Sequence, residues 1–463
     1  MKKNKWHAIV FFSIVTLHSF IMTTNTQTKV DSQPEIWITI FVHGIMSIKP
    51  HLTLHNIMRF IRDDVNNTTY SKTVEYMRSN PYFYLNQAMQ EPGLKKIDMH
   101  DLQPGNASSA IANTYDYVTK LNKPFTENHY YTFGWSGLLS PSSRYAGAVQ
   151  LLKELMPEIK TKFWDNNIFP NVRLIGYSHG GNVCLNVAAA HNNINPHSSL
   201  SIDELILIGV PIQTETDYLA GDPLFKKIYH VFSRADRIQR IDFFSFNRIF
   251  SRRYFKSNNH FKIPNKLMQI EMKFTRKAHT KKESPQRLAQ SINFSDPGII
   301  SGKSRLLRNG SPGHLEFWFF GWSPKHYRRS FLLRPLPAFV TLPYILHCIN
   351  LMKDELKNPY PVVVDIRPEF DTMIIKQRKN NHVTKVFPFL SREELDHLSQ
   401  IAHKVAIDSS FEDEYEKYAE EAFERARKYY QVYDHKKSRS GSHKRNRRLR
   451  KRNLTPHKVP NSQ

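Results

Sequence analysis

Cysteine is nearly absent from this chain of 463 residues, which contains only Cys184 and Cys348. Two thiols cannot build a disulfide scaffold or a zinc site with several cysteine ligands. No cysteine precedes position 184, so attachment of a lipid through an N-terminal cysteine is excluded as well. His51 and His55 are four residues apart, but they lack the glutamate of a zinc-protease helix. The sequence therefore predicts no metal and no cofactor.

Acidic residues are scarce relative to basic ones, with 41 Asp and Glu against 66 Lys and Arg, a net charge of +25. Residues 435–463 contain eleven Lys or Arg and no Asp or Glu. This segment has almost no apolar surface to bury, so we expect a disordered polybasic tail over 434–463. Such a tail can attach to an anionic membrane surface or, as the less favoured partner, to nucleic acid. The alternative interpretation, a solvated tail that binds no partner, has about equal weight.

The N-terminus has the pattern of a targeting segment. Lys2, Lys3 and Lys5 precede the short apolar run AIVFFSIVTL at 8–17. A positively charged stretch followed by such a run is typical of a secretory signal. Because no clear cleavage site follows, an uncleaved membrane anchor is the alternative, although the run is short for a span. We expect residues 1–30 to be a signal peptide or anchor, and the protein to be exported or membrane-associated.

The middle of the chain alternates between strand-like and helix-like stretches, which is typical of an α/β protein with a mainly parallel sheet. Helices are expected near 52–65, 144–163 and 180–191, and an insertion within 66–128. The predicted strands are 36–42, 129–135, 172–176, 204–209, 228–233 and 266–274.

After about residue 355 the pattern changes to a hairpin at 361–377 and two charged helices within 391–430. The chain is therefore divided into a main domain over 31–355, with insertions, and a C-terminal α+β extension over 356–433. Oligomeric state cannot be predicted from these patterns.

Ser178 is the candidate nucleophile. It is the central residue of Gly-Tyr-Ser-His-Gly (176–180), which follows the strand VRLI and precedes a helix of small residues. A G-x-S-x-G motif in a strand–turn–helix setting forms a sharp turn that exposes the serine hydroxyl. An ordinary glycine-rich turn from a strand to a helix is the alternative interpretation.

An acyl-transfer site also needs backbone N–H groups directed at the developing oxyanion. The first predicted strand ends in FVHGIM (41–46). Together with IGYSHGG (175–181), this segment resembles the α/β-hydrolase family, in particular its lipase and esterase branch, over roughly residues 36–320. The resemblance implies an α/β-hydrolase-type sheet of about six strands flanked by helices. It also implies oxyanion donors at the N–H groups of Ile45 (alternatively Met46) and His179.

The family places its acid and its histidine after the serine, in that order. The turn Arg-Ala-Asp (234–236) follows the strand at 228–233 and resembles the family's acid turn, which favours Asp236. Some lipases carry the acid one strand earlier, which would favour Asp217. The segment SPGHLEFW (311–318) resembles the loop of the catalytic histidine, so His314 is the favoured base and His279 the alternative.

The predicted function is that of a serine hydrolase cleaving a carboxylic ester, with a lipid or acyl ester as the favoured small-molecule substrate. The alternative is a catalytically inactive scaffold that binds a membrane or nucleic acid through its basic surface. Residues 241–255 interleave aromatic residues with arginine. They are expected to form a lid or membrane-facing helix, or more commonly an amphipathic core helix.

Overall fold

One mixed sheet of eleven strands organises the part of the chain that the computed structural model describes. The described residues are 34–45, 63, 65–85, 91–236, 238–240, 251–277, 307–321, 333, 335–357, 359–377, 383–407, 414 and 417–431. From Ile36 onwards they belong to one compact unit.

The strand order in the sheet is β11-β10-β9-β7-β6-β5-β4-β1-β3-β2, with β8 paired to β7 outside this path. The strands are β1 (Glu35–Val42), β2 (Gly93–Lys96), β3 (Thr126–Gly134), β4 (Asn171–Tyr177), β5 (Ile202–Ile208), β6 (Phe225–Phe232), β7 (Leu267–Lys277), β8 (Leu307–Gly310), β9 (Val362–Arg367), β10 (Thr372–Gln377) and β11 (Thr384–Pro388). Strands β1, β4, β5, β6, β7 and β9 pair in parallel with their neighbours in this run. The antiparallel pairs are β2 with β3, β7 with β8, β9 with β10 and β10 with β11.

Helices cover both faces of the sheet. They are α1 (Thr69–Arg78), α2 (Ala107–Asn122), α3 (Pro141–Lys162), α4 (His179–Ile194), α5 (Leu342–Asn350) and α6 (Arg392–His403), and a further helical stretch covers 417–431. Several begin at side chains that accept a backbone N–H of the first turn, which otherwise has no partner within the helix. Asn106 caps α2, Ser140 caps α3, and Ser391 forms a capping box with Glu394 at α6.

Alternation along the strands sends side chains into two separate cores. In β1, Ile40 and Val42 join the core that contains residues of α3 and α4, whereas Phe41 joins the core that contains residues of α2 and α5. All three side chains are fully buried. The domain is therefore a three-layer arrangement with helices on both sides of the sheet.

The parallel strands end at one edge of the sheet, which is where their loops meet. Val42 pairs with Gly176 at the ends of β1 and β4, and Ile208 pairs with Val231 at the ends of β5 and β6. The turns that follow these strands thus emerge side by side. Open α/β sheets bind ligands at this carboxyl edge.

The expectation of about six strands with a separate C-terminal appendage is wrong. All six predicted runs are strands, but the sheet contains five more within the described residues, of which β9 and β10 are the antiparallel pair predicted as a hairpin at 361–377. Strands β2 and β8 have four residues each, too few for a periodic pattern. Strand β9 pairs in parallel with β7, so β9, β10 and β11 continue the main sheet. The change of pattern near residue 355 is not an end of the sheet.

Several predictions lie outside the described residues: the targeting segment 1–30, most of the helix near 52–65, residues 241–250 of the predicted lid, and the tail 434–463. Among the residues described, no helix has the length and apolar character that crossing a membrane requires. The domain boundaries at 355 and 433 stay predictions.

Candidate active site

Ser178 lies in the turn between β4 and α4, at the carboxyl edge of the sheet. Its backbone has φ 51° and ψ −131°, a conformation that side-chain-bearing residues rarely adopt. Such strain costs about 1–3 kcal/mol and persists only where the surroundings enforce it. The Ser178 N–H donates to the carbonyl of Ile208 at 2.9 Å, and the side chain makes no capping bond to α4. The hydroxyl therefore does not cap the helix that it precedes.

Small residues on both sides of Ser178 permit this turn. A Cβ at Gly176 would lie 2.6 Å from the Cα of Gly181, so α4 can cross β4 this closely only with glycine at position 176. A Cβ at Gly180, the second flanking glycine, would lie 2.3 Å from the His43 carbonyl oxygen at the end of β1, so close packing requires both glycines of the motif.

His314 lies four residues beyond the end of β8, just before a short 3₁₀ turn at Leu315–Phe317. Its Nε2 is 3.0 Å from the Ser178 Oγ, and its Nδ1 is 2.7 Å from the Asp236 Oδ2. A carboxylate can only accept, so Nδ1 carries the proton and Nε2 presents its lone pair to the serine hydroxyl. This order of donors is the one that a serine nucleophile and its general base need.

Asp236 follows β6 and is completely buried. One carboxylate oxygen receives the His314 bond, and the other accepts the Gln239 N–H at 3.2 Å. Both bonds favour a fixed carboxylate orientation. Because Ser178 is 3% exposed and His314 9%, the whole hydrogen-bonded chain is shielded from bulk water.

Of the two alternative residues, Asp217 is not part of this arrangement. Asp217 lies in a 3₁₀ turn between β5 and β6, where it forms an ion pair with Arg252. Burial raises the pKa of the Asp217 carboxyl, against the opposing effect of Arg252. His279 lies outside the described residues.

The end of β1 lies directly against the nucleophile. A Cβ at Gly44 would lie 2.9 Å from the Ser178 Cβ, and the half-buried Ile45 comes next in the chain. His43 fixes this segment: its Nδ1–H donates to the Gly44 carbonyl at 2.6 Å, while Nε2 accepts the Trp135 N–H at 3.3 Å. Burial, aided by the charge of Arg78, lowers the pKa of His43 well below its usual value. The ring is therefore neutral, as both hydrogen bonds require.

Trp135 and His179 complete this side of the site. The Trp135 indole N–H donates to the His43 carbonyl at 2.8 Å, a second bond between the ends of β3 and β1. His179, the first residue of α4, is buried next to Ser178, and its Nδ1 lies 3.2 Å from the Arg144 Nη1. His179, one of the two predicted oxyanion donors, thus directly follows the nucleophile. Ile45, the other, directly follows Gly44, which lies against Ser178. Met46, the alternative to Ile45, lies outside the described residues.

Sequence reasoning missed three residues that hold the site together. Tyr177 donates its hydroxyl to the His314 carbonyl at 3.1 Å. Glu316 accepts the Gly313 N–H at 2.5 Å, and burial raises the pKa of its carboxyl to about 7. Tyr177 and Glu316 lie within the two motifs that selected Ser178 and His314, but neither motif indicates the contacts that these residues make. Arg144 is on α3, 35 residues before His179, and no local signal indicates it.

Within the part of the chain that the structure describes, no group of three or more His, Cys, Asp or Glu side chains is suited to hold a metal ion. Neither the comparison with protein-family models nor the comparison with curated proteins finds a match for this chain. The catalytic roles of Ser178, Asp236 and His314 therefore stay predictions that depend on geometry and on motif resemblance.

Proposed function

We propose that this protein is a serine hydrolase that cleaves a carboxylic ester through an acyl-enzyme. The observation that carries the proposal is the continuous chain of hydrogen bonds from Ser178 through His314 to Asp236, with distances of 3.0 and 2.7 Å. The three residues come from separate parts of the sequence, and each was selected by a different motif. Their convergence at the carboxyl edge of the sheet supports the α/β-hydrolase resemblance as part of this proposal.

In the first half-reaction, Ser178 Oγ attacks the ester carbonyl while its proton passes to His314 Nε2. Asp236 stabilises the imidazolium and holds its tautomer. The N–H groups of Ile45 and His179 stabilise the oxyanion of the tetrahedral intermediate. Collapse breaks the ester C–O bond, and His314 returns the proton to the departing alkoxide, which leaves as an alcohol.

In the second half-reaction, water attacks the acyl-serine with His314 again acting as the base. The same oxyanion donors stabilise the second intermediate, and its collapse releases the carboxylic acid and restores the Ser178 hydroxyl. In both half-reactions, His314 Nε2 accepts the proton from the attacking hydroxyl or water and then returns it.

A lipid or acyl ester is the substrate class that we propose, since the resemblance is to lipases and esterases. We further propose that the protein is exported or membrane-associated through its N-terminal segment. The basic tail would add attachment to an anionic membrane surface. If so, deletion of residues 435–463 should weaken binding to vesicles containing anionic lipid, most strongly at low salt, without affecting hydrolysis of a soluble ester.

Labelling by a fluorophosphonate probe tests the catalytic proposal, because this reagent reacts with activated serines. We expect the wild-type protein to be labelled and to hydrolyse short p-nitrophenyl esters, and Ser178→Ala to do neither while keeping its fold. Ser399→Ala, a substitution on α6, serves as the control and should retain both activities. A folded wild-type protein that is neither labelled nor active would instead support a catalytically inactive scaffold that binds a membrane or nucleic acid.

A further inference from the structure

Arg144 is a buried positive charge beside the candidate oxyanion site. It lies in the first turn of α3, is 2% exposed, and places Nη1 3.2 Å from the Nδ1 of His179. His179 is itself buried and directly follows Ser178. The contact connects two neighbouring helices, since α3 and α4 both belong to the core on the same face of the sheet.

The chemistry of the two groups fixes which atom donates. A guanidinium keeps its protons throughout the accessible pH range and can only donate. The His179 Nδ1 must therefore present its lone pair, which leaves the ring proton on Nε2. The protonation state of one histidine is thus imposed by a residue on another helix.

The position of His179 gives this contact a consequence for catalysis. Its N–H belongs to the first turn of α4, where backbone donors have no acceptor within the helix and the helix dipole is positive. In the proposed mechanism this N–H faces the oxyanion. Anchoring the side chain restricts the same residue's backbone, and preorganised donors are what stabilise a transition state with little reorganisation.

We propose that Arg144 is a positioning residue for the oxyanion site: through His179 Nδ1 it holds the backbone N–H of residue 179 towards the developing negative charge. This inference rests on the proposed function. Arg144, although remote in sequence from the serine motif, thereby stabilises the transition state. It does not contribute to binding of the substrate in its ground state.

The test is Arg144→Met, which keeps an unbranched apolar stem in the buried position and removes the donor and the charge. We expect kcat for a p-nitrophenyl ester to fall by roughly ten- to a hundredfold, approaching the loss seen when an oxyanion donor is removed, with KM changed by less than about threefold. Arg144→Lys should recover part of the lost kcat. Lys153→Met removes an exposed charge from the same helix and should leave kcat unchanged.

A double-mutant cycle with His179→Leu, which removes the acceptor, separates positioning from a general effect on the fold. If Arg144 acts through His179, Arg144→Met should cost less than about twofold in a protein that already carries His179→Leu. Equal losses in both backgrounds, or a kcat within twofold of wild type for Arg144→Met alone, would overturn the inference.

A measurement on the wild-type protein keeps the inference testable should Arg144→Met fail to fold. Nitrogen NMR of histidine-labelled protein, with the His179 signals assigned by their loss in His179→Leu, should show a protonated Nε2 and an unprotonated Nδ1. The opposite tautomer would refute the proposal. Labelling of Ser178 by the fluorophosphonate probe is measured in parallel: labelling without these effects rejects the role of Arg144 alone, and absence of labelling rejects the proposed function.

Discussion

The hydroxyl of Tyr177 donates to the main-chain carbonyl of His314 at 3.1 Å, connecting the residue before the candidate nucleophile to the candidate base itself. The Tyr177 ring also stacks on Trp318, with the centroids 5.1 Å apart and the planes 6° from parallel. One side chain thus contacts this loop at two points, His314 itself and Trp318. The separation of Ser178 and His314 depends on this contact as well as on their own hydrogen bond.

Tyr177→Phe should therefore impair catalysis without removing a reacting group. The change keeps the stacked ring, deletes one hydrogen bond and leaves a buried carbonyl without that donor, which costs about 1–3 kcal/mol of unfolding free energy. We expect kcat to fall by roughly tenfold, because a small displacement of the general base strongly lowers the rate of proton transfer. Tyr145→Phe, whose hydroxyl accepts from Asn193 at an exposed position, is the control. Unaltered ester hydrolysis by Tyr177→Phe would show that the loop holds His314 without this bond.

Asp236→Asn tests the choice of the acid. An amide at this position can donate to His314 Nδ1 and so favours the wrong tautomer, for which a loss of about 10⁴ in kcat is expected. Asp217→Asn weakens an ion pair with Arg252 that does not reach the site, and its kcat should stay within about twofold of wild type. Steady-state kinetics of both variants decide between the two carboxylates. The reverse ranking would move the acid to Asp217.

The residues of the candidate site could be predicted from the sequence more completely than the number of strands in the sheet. Ser178 and Asp236 each follow a strong buried strand, and His314 was selected by its place after them in the chain together with the resemblance of SPGHLEFW (311–318) to the family's histidine loop. The contacts of Tyr177 and Arg144 join residues 137 and 35 positions apart, so no local pattern encodes them. These contacts form only when the sheet, its loops and its helices assemble.

The number of strands could not be predicted for a related reason. Short strands such as β2 and β8 are held by their neighbours rather than by their own propensity, which is a weak guide for edge strands. Strand β9 pairs in parallel with β7, although β8, two 3₁₀ turns and α5 lie between them among the described residues. Hydrophobic periodicity indicates that a segment is a strand, but it does not say which strand will be its partner.

Gly44→Ala tests the close approach of β1 to the nucleophile. The added methyl would lie 2.9 Å from the Ser178 Cβ, so either the loop before Ile45 or the serine turn must move. We expect kcat to fall by at least roughly tenfold, with slower labelling by the fluorophosphonate probe. At Gly221 a new Cβ would meet nothing within 4 Å, and Gly221→Ala should behave as wild type. If the two alanine variants are equally active, the end of β1 does not constrain the site.

Glu316 makes the stability of the His314 loop depend on pH. Its side chain is 6% exposed, and burial raises the pKa to about 7 from an ordinary value of 4.5, despite the Gly313 N–H and the charge of Arg276, which lower it. The folded protein therefore keeps this proton up to about pH 7, whereas the unfolded chain releases it near pH 4.5. Over that interval the unfolded state binds fewer protons, so the contribution of Glu316 to stability falls as pH rises.

Glu316→Gln should remove this pH dependence, because a glutamine is neutral at every pH and its carbonyl can still accept the Gly313 N–H. Relative to wild type, the unfolding free energy of the variant should rise between pH 4.5 and pH 7 by about 3 kcal/mol and stay constant at higher pH. Urea unfolding of both proteins from pH 5 to pH 8 measures this difference. Glu369→Gln, a substitution of another glutamate beyond the loop, controls for the loss of one carboxyl group. A difference between Glu316→Gln and wild type that does not change with pH would mean that Glu316 is already ionised in the folded loop at pH 5.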